Sequence, residues 1–115
     1  MPWLVRDENE VLAPAEIARR RSDRRRGLLG RDGLAGVLVL EPCRQVHSMR
    51  MRFAIDVVWC DARGRVLRIG SLARGRISRL VLGARFVVEA PAGCAAGWGL
   101  SPGDRLKIVD TVDRS

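Results

Sequence analysis

Tyrosine is missing from this sequence, and histidine and lysine occur once each, as His47 and Lys107. Three tryptophans and two phenylalanines are the only aromatic side chains. A surface that binds single-stranded nucleic acid by stacking needs several exposed rings along a basic groove, and few are on hand here. Any imidazole chemistry must run through His47. Cys43, Cys60 and Cys94 stand 17 and 34 positions apart with no Cys-x-x-Cys among them. That spacing fits neither a zinc ribbon nor a redox dithiol. No apolar run approaches the roughly 18 residues of a membrane span. The opening Met1-Pro2-Trp3-Leu4-Val5-Arg6-Asp7-Glu8 has no basic region leading into an apolar stretch, so a signal peptide is not expected. Reduced cysteines and a cytoplasmic location follow as the expectation. Ser48 lacks the Gly-x-Ser-x-Gly context of a nucleophile elbow. The glycines at 27, 30, 33 and 36 lack the strand-then-helix order of a phosphate loop. No cofactor and no metal is therefore expected.

What the chain does have is charge of one sign. Its 115 residues, 47% hydrophobic and 30% charged with mean hydropathy −0.03, describe a single folded domain over 1–115. The net charge is +8 and the pI about 11.3, with 20 of the 21 bases arginine. Residues 15–31 alone contribute +5. A stripe formed by Arg19, Arg20, Arg24, Arg25, Arg26 and Arg31 is a candidate contact for nucleic acid or another acidic surface. A solvated helix face explains the same residues without any partner.

Trp3-Leu4-Val5 and Val11-Leu12-Ala13 flank polar residues and predict an opening hairpin. Pro14 and Glu16 suit the first turn of a helix, which is expected from about residue 15 into the arginines, re-starting near Ser22 and closing at Gly30. From Val37 the pattern turns to strands: 36–40, 54–60 and 65–69, with a tight hairpin at Asp61-Ala62-Arg63-Gly64. Further strands are expected at about 76–82, 85–89 and 105–109, with Phe86 and Val88, and Leu106 and Ile108, facing inward. Ala92 to Gly99 reads as a short helical turn, and Ser101 to Asp104 as a turn into the last strand. The sum is a mainly β chain with minor α (α+β): a compact antiparallel β-sandwich or barrel with an N-terminal helical cover.

An ordered series of residues also resembles a known family. Gly27-Leu28-Leu29-Gly30-Arg31, Pro42-Cys43, Val46-His47-Ser48, Met51-Arg52-Phe53, Ile55-Asp56-Val57-Val58, Glu89-Ala90-Pro91-Ala92-Gly93 and Gly103-Asp104 are together similar to the DUF192 family over roughly residues 10–110. Met49, Arg50 and Ala54 depart from that family's usual aromatic, glycine and proline. The resemblance implies a small, β-rich, sandwich-like domain of the stand-alone bacterial kind and implies no reaction.

Period-2 alternation places Asp56 on the face of Val58 and Cys60, so its carboxylate sits among apolar neighbours and needs donors. Arg52, Ser48, His47 and loop amides are the candidates. The reading adopted at this level is a ligand-binding or accessory module with a pocket formed by Cys43, His47, Ser48, Met51, Arg52 and Asp56. The partner would be a small molecule or another protein; nucleic acid is less favoured. A hydrolase or isomerase using His47 and Asp56 is the third possibility, without a nucleophile to accompany the pair. Met49 and Met51 lie two apart and could line a pocket or fill a core. Glu89 and Asp104 are read as sheet-edge and turn residues.

Overall fold

Val37-Leu38-Val39-Leu40 has no polar face, so a strand built from it must be covered on both sides. The computed structural model describes residues 2–26, 33–48 and 51–110 and realises this condition. Strands β1 (Trp3–Arg6), β2 (Glu10–Ala18), β3 (Val37–Leu40), β4 (Ile55–Cys60), β5 (Val66–Leu72), β6 (Phe86–Pro91) and β7 (Leu106–Val109) form one sheet in the order β5-β4-β6-β3-β2-β1-β7. Every residue of β3 and β4 is buried, as are the first five of β6.

The sheet curls until its two edge strands meet. A bridge joins Arg65 to Arg105. Val66 donates its N–H to the Asp104 carbonyl at 2.7 Å, and Leu106 donates to the Gly64 carbonyl at 2.8 Å. Gly64 is required at this junction, because its φ is +83° and a Cβ there would lie 2.0 Å from the Leu106 carbonyl oxygen.

Alternation along the central strands divides the core into two layers. Leu4, Val39, Val58, Cys60, Val88 and Leu106 fill the interior of the barrel. Leu38, Leu40, Val57, Trp59 and Val87 face outward and pack beneath Val46, Met51 and Ala84 from the connecting segments. Residues 41–48 with 51–54, and residues 73–85, thus form an outer cover. They are bound to each other by Ser78 N–H to the Val46 carbonyl at 2.8 Å and Ser48 N–H to the Arg76 carbonyl at 2.7 Å. Trp59 fastens the cover to the sheet, its Nε1 donating to the Arg44 carbonyl at 3.0 Å.

Several expectations change. No helix begins at residue 15: Glu10–Ala18 is strand β2, with Pro14 opposite Trp3 and Ala15 to Ala18 pairing with β3. The local helix signals lose to two sheet partners, and Ala15 and Ala18 are buried on opposite faces as a strand requires. The expected N-terminal helical cover is replaced by strands: β1 and β2 open the chain, and the only helix among the described residues of this region is the six-residue α1 (Arg21–Arg26), whose expected closure at Gly30 lies outside the described residues. The sheet is not wholly antiparallel, since β2 and β3 run parallel. Residues 76–82 form no strand but a cover loop with one bridge, His47 to Ile77. There the Ser48 and Ser78 hydroxyls take over the bonding that a ladder would supply. The opening hairpin, the strands near 37, 55, 66, 86 and 106, and the short helix α2 (Cys94–Gly97) stand as expected. No helix among the described residues is long and apolar enough to cross a membrane.

Gly64→Ala should lower stability by about 2–4 kcal/mol, through strain at positive φ and the clash with Leu106. Urea unfolding checks it; an unchanged midpoint would mean that the hairpin does not close the barrel.

Candidate functional site

Two carboxylates are buried in the middle of this sheet, one on each face. Asp56 on β4 is opposite Ala90, and Glu89 on β6 is opposite Val57. Because Ala90 and Glu89 are consecutive in one strand, their side chains point to opposite faces. Asp56 shares the interior face with Val58 and Ala90, and Glu89 shares the outer face with Val57 and Val87. They are 4% and 2% exposed.

Their surroundings differ in the decisive respect. Asp56 Oδ2 accepts the N–H groups of Gly93 and Ala95, each at 3.0 Å, and Oδ1 accepts the Ser71 hydroxyl at 3.2 Å. These bonds hold the turn that begins α2 and tie it to β4 and β5. The expected donors among His47, Ser48 and Arg52 are not the ones used; loop amides are. Glu89 is the opposite case. Its Oε1 is buried with no hydrogen-bond partner among the described residues. Burial pushes the Glu89 carboxyl up to about 7, because the charged form has no donor to replace lost water.

The sequence-predicted pocket residues are divided by the sheet. Asp56 faces the interior. Cys43 and Met51 lie on the outer side, Met51 buried and Cys43 packed at its margin. The Cys43 thiol donates to the Gln45 carbonyl at 3.3 Å. Burial raises its pKa, helped by the nearby charge of Glu89 and opposed by Arg24, so it is not an activated thiolate. Ser48 is fully buried; its hydroxyl donates to the Ala73 carbonyl and accepts the Arg76 N–H at 2.9 Å. Arg52 is exposed and engaged. His47 is exposed and borders a cleft of about 320 Å³ with Gln45, Val46 and Ile77. With Asp56 held inside the barrel and His47 on the outer cover, the sheet lies between the two groups of the hydrolase reading. Met49 lies outside the described residues. Among those described, no three His, Cys, Asp or Glu side chains gather as a metal set.

Of the arginine stripe, Arg19 and Arg20 are exposed, and Arg19 Nε donates to Glu41 Oε1 at 3.3 Å. Arg24 donates to the Arg19 carbonyl. The side chains of Arg25 and Arg26, and all of Arg31, lie outside the described residues.

Glu89 is the residue that sequence reasoning missed. Alternation with Phe86 and Val88 correctly turns it away from the interior and suggests solvent. The correction comes from the cover formed by 41–48 with 51–54 and by 73–85, which makes β6 a strand buried on both faces rather than a sheet edge.

The model of the family DUF192, described as Uncharacterized ACR, matches residues 4–108. No curated protein matches the chain. Two crystal structures are similar to it. A protein of unknown function from Novosphingobium aromaticivorans DSM 12444 is 20% identical, with TM-score 0.78 over 92% of this chain and 83% of that one. A Sinorhizobium meliloti 1021 protein, provisionally named a transcription regulator, is 22% identical, with TM-score 0.76 over 93% of each chain. Likeness at that identity establishes the shared fold.

Asp56→Ala should cost about 3–5 kcal/mol, since it leaves the buried Ala95 amide and the part-buried Gly93 amide without their acceptor. Hydrogen exchange at Gly93 and Ala95 should accelerate in the same variant; retained protection would show that those amides bond elsewhere. Glu89 titrates with the opposite logic. Its folded pKa is about 7 against an ordinary 4.5, so its contribution is fully present below pH 4.5 and is lost as pH rises through 7. The loss amounts to about 3 kcal/mol. Glu89→Gln should therefore be more stable than the parent above pH 7, the difference shrinking toward pH 4.5; a pH-independent difference in denaturation midpoints would contradict this.

Proposed function

We propose that this chain, which belongs to the DUF192 family, is a binding module for a small molecule, seated on the outer face of β3, β4 and β6 beneath Cys43, Val46, Met51 and Phe53. The observation that carries the reading is the Oε1 of Glu89, which has no hydrogen-bond partner among the described residues. Leaving a buried oxygen without a donor costs about 1–3 kcal/mol, and buried polar groups in folded proteins are nearly always paired. A ligand bearing an ammonium, amide or hydroxyl group would supply the missing donor. The cover above it has the character of a binding surface. Val46 belongs both to the apolar layer over this face and to the wall of the His47 cleft, and Ile77 on the far wall is 68% exposed. Cys43 and Met51 keep their part in this site as apolar lining. His47 would contribute a hydrogen bond at its margin, and Asp56 becomes the support that holds β4 in place.

The alternative contact with a nucleic acid or another acidic surface has less behind it. Arg19 and Arg20 are exposed, but Arg19 is paired with Glu41 and Arg24 is turned onto the chain's own backbone. The transcription-regulator name of one structural neighbour fits this alternative, at an identity that carries only the fold.

Titration of the nitrogen-15-labelled protein with a panel of small amines, amides and polyols is the test. The expected result is saturable shifts at Val46, His47, Val57 and Glu89, lost in Glu89→Leu. For a cationic ligand, affinity should rise as pH passes upward through about 7, because the carboxylate forms there. Shifts that avoid this face, or binding indifferent to Glu89→Leu, would defeat the proposal. Salt-sensitive retention on heparin, abolished by neutralising Arg19 and Arg20, would favour the alternative.

A further inference from the structure

A second cleft, of about 250 Å³, shares no lining residue with the His47 cleft and lies between the ends of β2 and β3 on one side and β7 with the β4–β5 hairpin on the other. Apolar side chains form its floor. Val39, Phe86 and Leu106 belong to the interior core, and Ile17 and Ile108 pack against it. Its rim is charged, with Arg63 and Lys107 from the hairpin and β7, and Arg19 and Glu41 from the strand ends.

The rim charges are not equivalent. Arg19 and Glu41 form an ion pair at 3.3 Å and largely cancel. Arg63 and Lys107 are exposed, and among the described residues neither side chain makes an ion pair. Asp61, the nearest acid in sequence, uses its Oδ1 to accept the N–H groups of Arg63 and Arg65, each at 2.9 Å, and so shapes the hairpin. The cleft thus combines an apolar interior with two uncompensated cations at its edge. Exposed bases are common; bases bordering a concave apolar slot are a different matter, because the slot fixes where a bound anion must stop.

We propose that this cleft binds a small amphipathic carboxylate, its hydrocarbon part against Ile17, Phe86 and Ile108 and its head between Arg63 and Lys107. The volume sets the size, since sites for drug-sized ligands span roughly 300–1,000 Å³ and this one is smaller. The charge sets the head group. A guanidinium can meet both carboxylate oxygens, while the ammonium adds a point charge from β7. A neutral analogue would keep the apolar contact and lose the head; a cationic one would be repelled.

The test uses octanoate as probe, with 1-octanol and octylammonium as comparators, followed by nitrogen-15 NMR and calorimetry. Octanoate should shift the amides of Gly64, Leu106 and Lys107 and bind at least about tenfold more tightly than 1-octanol. Its affinity should fall with ionic strength. Arg63→Glu with Lys107→Glu should weaken it by about tenfold or more while leaving the thermal melting curve in place. If the double variant does not fold, Arg63→Gln and Lys107→Gln singly should each weaken binding several-fold. Glu89→Leu should leave octanoate binding unchanged, so failure of the outer-face reading and failure of this one are separable. Equal affinity for octanoate and 1-octanol, absence of saturable binding, or shifts confined to the His47 cleft would overturn the proposal.

Discussion

Everything in this chain depends on strands that are apolar on both faces. β3, β4 and the body of β6 offer no side to water, so the sheet must be enclosed twice. Curling brings its edges together over the inner face. The outer face has no second sheet, and two irregular segments take that place, fixed by the Trp59 indole and by the Ser48 and Ser78 hydroxyls. Irregular backbone can serve as a core layer only where its own polar groups are satisfied, and these side-chain bonds satisfy them.

Within that double enclosure, each buried carboxylate becomes diagnostic. Asp56 and Glu89 are neighbours across one pair of strands and nearly equally buried. The first receives three donors and acts as a bolt between β4, β5 and the turn into α2. The second has an oxygen with none among the described residues. If Glu89 served only packing, an apolar side chain would fill the place at lower cost, because no donor among the described residues reaches its Oε1. The asymmetry moves functional interest from the histidine and aspartate that stand out in the sequence to a glutamate that does not.

How much of this the sequence carried depends on the range of the interaction. Val37 to Leu40 and Ile55 to Cys60 announce central strands because double-sided burial is written into consecutive residues. Asp61 to Gly64 announces a hairpin because turn chemistry is local. Asp56 could be recognised as a buried acid in need of donors, and even loop amides could be named among them. Pro14 and Glu16, by contrast, carry local helix signals that the pairings with Trp3 and Leu38 override, and no pattern within nine residues contains that information. The same limit hid Glu89: its direction follows from alternation, while the cover above it is contributed by irregular segments, one of them some 40 positions upstream.

The basic character of the chain takes a different meaning once the fold is known. More than half of the net charge lies in the stretch that holds α1, yet Arg19 is drawn to Glu41 and Arg24 to the backbone at the entry to that helix. Arg63 and Lys107 are unremarkable in the sequence, 44 positions apart, one in a hairpin turn and the other among ordinary strand residues. Closure of the barrel through Gly64 and Leu106 sets them on one rim. A charge acquires specificity from the shape beside it, since an anion drawn to a flat arginine stripe can settle anywhere along it, whereas one drawn to a slot must present its apolar part to the walls. For this fold the place to look for anion recognition is therefore where the barrel closes, rather than where arginine is densest.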